Sequence, residues 1–176
     1  MEKRVRIVVY NARQCDPKKC TALKLEHHGL ARGVSQVRFL PKRAVVLNPF
    51  SEIAFSPADR SRIENFGLAA LDCSWDKAER FLSAHVRGTS RCLPVLIAGN
   101  PVNFSKPTKL STLEALAAAL FISGFREQAS ELLAMYKWGH TFLELNRELL
   151  ETYSCAKDST EIVELQKRFI TNVDAQ

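Results

Sequence analysis

Four short stretches hold the residue types that can do chemistry: "CDPKKCT" (Cys15 to Thr21), "LNP" (Leu47 to Pro49), "LDCSW" (Leu71 to Trp75) and "GNPVNFSKPTKLST" (Gly99 to Thr112). The first three stand where predicted strands end, the place at which open α/β sheets bind ligands. Their small, apolar and aromatic residues suit a flat heterocycle held by packing and main-chain hydrogen bonds. Neither GxGxxG nor GxxxxGK followed by Ser or Thr occurs, so a dinucleotide fold or a P-loop is not supported. A nucleotide-containing ligand without a strong phosphate cradle fits better.

Each residue also has a plainer role. Trp75 suits a core position, Asp72 and Ser74 suit a helix cap, and Asn100 and Asn103 suit turns that satisfy their own backbone. The five cysteines (Cys15, Cys20, Cys73, Cys92 and Cys155) form no CxxC pair, so neither a disulfide framework nor a metal site is expected. They read as reduced, partly buried thiols.

The elements that must position these stretches follow from pattern. "VRIVVY" reads as a strand, and "CDPKKCTALKLEHHGL" as a helix introduced by Asp-Pro and closed by Gly29. "AVVLNPF" and "GLAALDC" read as strands buried on both faces, with "SPADRSRIENFG" a short helix between them. Residues 76–84 read as a helix and "CLPVLIAG" as the last strand. From Ser111 the apolar period is close to 3.6, giving "STLEALAAALFISG" with a capping-box start, "REQASELLAMYKWG" ending at Gly139, "HTFLELNRELLETY" and "STEIVELQKRFI". The prediction is an α/β fold: a mainly parallel-sheet part over residues 1–92, and a second part over 93–176 that holds the last strand, the loop Gly99 to Thr112 and an all-α remainder.

Charge divides at the same place. Residues 1–92 contain 17 Lys and Arg against 9 Asp and Glu, whereas the remainder contains 8 against 10. The basic half is the one expected to face a polyanion, with Arg4, Arg6, Arg13, Lys18, Lys19, Arg32, Arg38, Lys42 and Arg43 as candidate RNA contacts. A solvated basic surface is the alternative. No apolar run approaches the roughly 20 residues that cross a bilayer, and a soluble, cytoplasmic protein is expected.

The wording of the sequence is more specific than its pattern. "CDPKKCT...KL", "LNP", "SP.D", "GL..LDCSW", "R.LP.LIAGNPVNF.KP.KLS..EALAAAL" and "A..LL....WG..FLELN.ELL..Y", in this order over about residues 1–155, closely resemble the small-subunit ribosomal RNA aminocarboxypropyltransferases of eukaryotic and archaeal ribosome biogenesis. The resemblance implies transfer of the 3-amino-3-carboxypropyl group of S-adenosylmethionine to the ring imide nitrogen of a methylated pseudouridine. It also implies a fold like that of the SPOUT methyltransferases, with a C-terminal trefoil knot gripping the cofactor.

The implied roles fall on residues of the motifs. The sulfonium offers three electrophilic carbons, and the one in line with the nucleophile is transferred. By resemblance, Trp75 and Ala78 wall off the methyl group. Thr21, Ser111 and Thr112 meet the carboxylate of the aminocarboxypropyl chain, Leu47 and Pro49 pack on adenine, and Leu71 offers its carbonyl to the ribose. Leu93 and Thr108 bracket the adenine edge. Asp72 is the nearest candidate base, with capping or structural support as the alternative. His27, His28, His85 and His140 lie outside the matching motifs.

The family usually has glycine where Ser105 stands, often after a tyrosine where Phe104 stands, and alanine at Gly99. Ser105 is costly if that loop needs a positive φ. Two other functions compete: a SPOUT-like RNA methyltransferase, and a non-catalytic ribosome-assembly factor that binds RNA. With the cofactor site inside one chain, a monomer is expected.

Overall fold

A computed structural model describes residues 3–12, 16, 20–72 and 86–173. Among them, five strands form one parallel sheet: β1 (Ile7–Asn11), β2 (Arg32–Val34), β3 (Val45–Leu47), β4 (Leu68–Asp72) and β5 (Thr89–Arg91), in the order β2-β1-β4-β3-β5. The register sets Asn11 beside Asp72 and Leu47 beside both Ala70 and Arg91. All five strands therefore start at one sheet edge and end at the other, where the chemically equipped loops emerge.

Alternation along the strands separates two cores. Ile7, Val9, Val45, Leu47, Leu68 and Ala70 face the helices, while Val8, Tyr10, Val46 and Ala69 pack with Leu40 on the other side. Among the described residues six α-helices accompany the sheet: α1 (Thr21–His27), α2 (Arg60–Phe66), α3 (Thr112–Ile122), α4 (Arg126–Leu133), α5 (Gly139–Ser154) and α6 (Ser159–Val173). The alanine-rich α3 is buried nearly all round and packs against β4, α1, α4 and α5, as expected for a helix without a polar face. In α5 the stripe Gly139, Phe142, Asn146, Leu150, Tyr153 turns inward at helical spacing.

Four readings from sequence need correction. The first helix begins at Thr21, capped by Cys20, and not at the Asp-Pro. A three-residue edge strand, β2, precedes the predicted "AVVLNPF" strand. Helix α4 ends at Leu133, six residues before Gly139.

The most informative correction concerns "CLPVLIAG", because the last strand is Thr89–Arg91 and residues 94–98 join no sheet. Leu96 and Ala98 pair with the backbone of the loop that follows, at Thr108, Ser105 and Lys106, while Val95 and Ile97 pair with side chains. The amide of Ile97 donates to Asn146 Oδ1, and Asn146 Nδ2 donates back to the Ile97 carbonyl, both at 2.7 Å. Tyr153 Oη donates to the Val95 carbonyl, and the Val95 amide to Gln166 Oε1 (both 3.2 Å). An apolar run of strand length thus divides its polar groups between α5 and α6 on one side and the following loop on the other, without extending the sheet. The predicted helix over 76–84 lies outside the described residues.

Candidate functional site

The polar centre of the site is built where three elements begin or end. Asp72 closes β4, Cys20 caps α1, and Thr112 opens α3. The Cys20 Sγ–H donates to Asp72 Oδ2 at 3.1 Å and the Thr112 hydroxyl donates to Asp72 Oδ1 at 2.9 Å. Cys20 Sγ also accepts from the Leu23 amide (3.5 Å) and Asn11 Nδ2 (3.7 Å). Burial, reinforced by the neighbouring Asp72, raises the Cys20 thiol to about 11, so it stays protonated and can act as the donor. Thr21 Oγ1 accepts from the Leu113 amide at 3.4 Å, tying the starts of α1 and α3 together.

This centre forms one end of a cavity of about 660 Å³. Thr21, Leu47, Pro49, Leu71, Leu93, Thr108, Ser111 and Thr112 all line it, as does Asp72. One side is apolar, with Leu47, Leu71 and Leu93 at strand ends and Leu110 from the long loop. The other carries hydroxyls, a carboxylate and the amino-terminal end of α3. A cavity of this size and lining takes a drug-sized ligand with a flat apolar part and a polar tail. Trp75 and Ala78 lie outside the described residues.

The loop that closes the cavity is held by Glu114, which is fully buried. Its Oε1 accepts from the amides of Gly99 (2.8 Å) and Asn100 (3.0 Å), and its Oε2 from Asn100 Nδ2 and the Ser111 amide (both 2.7 Å). The capping box with Ser111 therefore extends beyond the helix end and clamps the loop to it. Asn100 Oδ1 also accepts from the Asn103 amide (3.0 Å), the turn role open to it from sequence. Gly99 is required for close approach, since a Cβ there would lie 2.8 Å from the backbone of Phe142 in α5.

Ser105 adopts φ +64° and Thr108 φ +61°, so the position at which the resembled family usually has glycine is left-handed in this chain. An ordinary L-residue in that conformation costs on the order of 1 kcal/mol. Ser105→Gly is expected to stabilise the protein by about 0.5 kcal/mol, after the greater freedom of glycine in the unfolded chain is subtracted. A thermal melt checks this, and a lowered midpoint would show that Ser105 is not strained.

The basic candidates gather elsewhere. Because the sheet is parallel, residues that precede or open strands share its other edge: Arg4 and Arg6 before β1, Arg32 in β2, and Lys42 and Arg43 before β3. Arg4, Arg6 and Arg32 line a second cavity of about 400 Å³ there. Arg4 pairs with Glu131 at 2.7 Å, and the Arg43 guanidinium lies 3.9 Å over the Phe66 ring. Arg38 sits over Phe39. With five residues in β1, the two edges are about 16 Å apart. Arg13, Lys18 and Lys19 lie outside the described residues.

Cys20, Glu114 and Asn146 escaped notice in the sequence as site-building residues. The signals were present but local: a thiol beside Thr21, a glutamate in a capping box, and an asparagine on an inward stripe. Among the described residues no three His, Cys, Asp or Glu side chains are placed to hold a metal, and no helix is long and apolar enough to cross a membrane.

Fold and site define an α/β protein whose ligand cavity opens where parallel strands end and is closed by the loop leading into a buried helix. Residues 45–170 match the family model described as "Ribosome biogenesis protein, C-terminal". Residues 5–35 also match "Possible Fer4-like domain in RNase L inhibitor, RLI", although that stretch has only two cysteines, Cys15 and Cys20, against the four that usually hold an iron–sulfur cluster. A protein from Methanothermobacter thermautotrophicus named 16S rRNA aminocarboxypropyltransferase is 52% identical over 94% of this chain and 99% of its own length. A protein of the same name from Methanosarcina mazei is 49% identical over 93% and 94%. The solved structure of the SAM-dependent rRNA:acp-transferase Tsr3 from Vulcanisaeta distributa superposes with a TM-score of 0.84 at 37% identity, covering 96% of this chain and 98% of that one. The chain belongs to the family of 16S rRNA aminocarboxypropyltransferases.

Proposed function

We propose that the protein transfers the 3-amino-3-carboxypropyl group of S-adenosylmethionine to the ring imide nitrogen of an N1-methylated pseudouridine in small-subunit rRNA, as a step in ribosome biogenesis. The observation that carries this reading is the convergence of Thr21, Asp72 and Thr112, from α1, β4 and α3, on the polar end of one cavity whose other walls are apolar.

The lining fits a nucleoside joined to an amino-acid tail. Leu47, Pro49 and Leu93 would pack on adenine, and the Leu71 carbonyl would meet the ribose. The amide of Thr108 is committed to the Leu96 carbonyl at 2.8 Å, which leaves its own carbonyl to face the adenine edge. Thr21, Ser111 and Thr112 would hold the carboxylate of the tail, where hydroxyls and the amino-terminal end of α3 favour negative charge. When bound, S-adenosylmethionine supplies a sulfonium with three electrophilic carbons. Trp75 and Ala78 would shield the methyl carbon, leaving the larger chain open to the RNA.

Asp72, with both oxygens anchored, would stand beside that chain. It would take a proton from, or hold, a cationic or imide group brought into the cavity. In the same reading, residues 1–92 form the RNA- and cofactor-binding part and 93–176 the helical, knotted part of a SPOUT-like monomer acting in the cytoplasm.

The test is mass spectrometry of nucleosides from small-subunit rRNA incubated with the protein and S-adenosylmethionine labelled in either the carboxyl or the methyl group. Carboxyl label in a nucleoside with the aminocarboxypropyl mass is expected. Methyl label in the RNA would instead identify a methyltransferase, and failure to bind S-adenosylmethionine in calorimetry would leave an assembly factor.

A further inference from the structure

The lip of the cavity is apolar and open to solvent. Val102 lines the cavity yet is 74% exposed, Phe104 two residues on is 55% exposed, and Phe50, next to the cavity residue Pro49, is 47% exposed. The loop that carries Val102 and Phe104 is firmly held. The Ser105 amide donates to the Ala98 carbonyl (2.8 Å), Ala98 to Lys106 (3.1 Å), Lys106 to Asn103 (2.9 Å) and Thr108 to Leu96 (2.8 Å), and Glu114 grips the loop's base. Such a loop cannot fold its apolar tip away from water.

We propose that Phe104, with Val102, is a stacking platform for an unpaired RNA base beside the target nucleotide. The proposal rests on the functional reading above and names the surface through which its substrate is engaged. A base enters a closed cavity only by leaving its stack, which strips a neighbouring base of its partner. An aromatic face at the entrance replaces that lost contact without demanding a particular sequence. The occupant is nucleic acid because the platform is continuous with the cavity and is followed at once by Lys106 and Lys109, both exposed. The arginine-rich edge lies at the other end of the strands, about 16 Å along β1 from the end at which the cavity opens.

Binding of a short single-stranded oligouridine at low salt, followed by fluorescence anisotropy, tests this in the absence of S-adenosylmethionine. Phe104→Ala should weaken RNA binding about tenfold, the loss of one base stack, and leave the salt dependence unchanged because no charge is removed. Phe104→Trp should retain affinity. S-adenosylmethionine binding, measured by calorimetry, should be the same in all three proteins. Unchanged RNA affinity in Phe104→Ala overturns the proposal, and so does a parallel fall in RNA and S-adenosylmethionine affinity, which would assign Phe104 to loop structure. If the unsubstituted protein fails to bind S-adenosylmethionine, the enzymatic reading falls while the stacking result still stands or falls on Phe104→Ala.

Discussion

Glu114→Gln should lower the thermal midpoint by roughly 10 °C and cost the protein its S-adenosylmethionine affinity. Both carboxylate oxygens of Glu114 are engaged, and all four partners are N–H donors from Gly99, Asn100 and Ser111. A glutamine keeps one oxygen and turns an NH2 toward the other pair, setting donor against donor in a site with no access to water. Buried groups left unpaired cost about 1–3 kcal/mol each. The sum, about 3 kcal/mol, corresponds to several degrees in a chain of this size. Differential scanning calorimetry reads the stability, and titration calorimetry the ligand. A midpoint within about 2 °C of the unsubstituted protein would show that the clamp is dispensable.

Asp72→Asn should reduce transfer about 100-fold at saturating S-adenosylmethionine, within the range for loss of a positioned acid or base. The carboxylate accepts from the Cys20 thiol on one oxygen and from the Thr112 hydroxyl on the other. Its other lone pairs remain for a group in the cavity it lines. Asparagine would fill the same space but offer an NH2 to one of these donors. Single-turnover labelling of rRNA measures the effect. A rate within threefold of the original would reduce Asp72 to a structural tie between β4, α1 and α3.

What could be read from sequence was what depends on neighbours along the chain. The short apolar runs "VRIVVY" and "GLAALDC", the interleaving of strands with helices and the Ser111 to Glu114 spacing pointed to strands, their parallel arrangement and the start of α3. The reach of Glu114 back to Gly99 was not legible, because it depends on how a loop of some 12 residues folds over. "CLPVLIAG" had the length and composition of a strand, and nothing in it shows that its partners are Asn146, Tyr153 and Gln166. The strand "RGV" is too short, and too weakened by glycine, to announce itself. The candidate site came through the particular words of the motifs, since strand-end composition alone reached only a flat heterocycle. Charge identified a basic half, but only the topology shows that Arg4, Arg6, Arg32 and Arg43 collect at the sheet edge away from the cavity.

The side-chain pairing of residues 94–98 also sets an order on folding. Asn146, Tyr153 and Gln166 leave the ribosome some 50 to 70 residues after the segment they hold. A nascent chain has the residues of the sheet and of the Glu114 clamp before Val95 and Ile97 gain their partners on α5 and α6, because contacts so distant in sequence form late. The segment that follows the cavity residues Leu93 and Pro94 is therefore secured only when α5 and α6 have emerged, although neither helix lines the cavity.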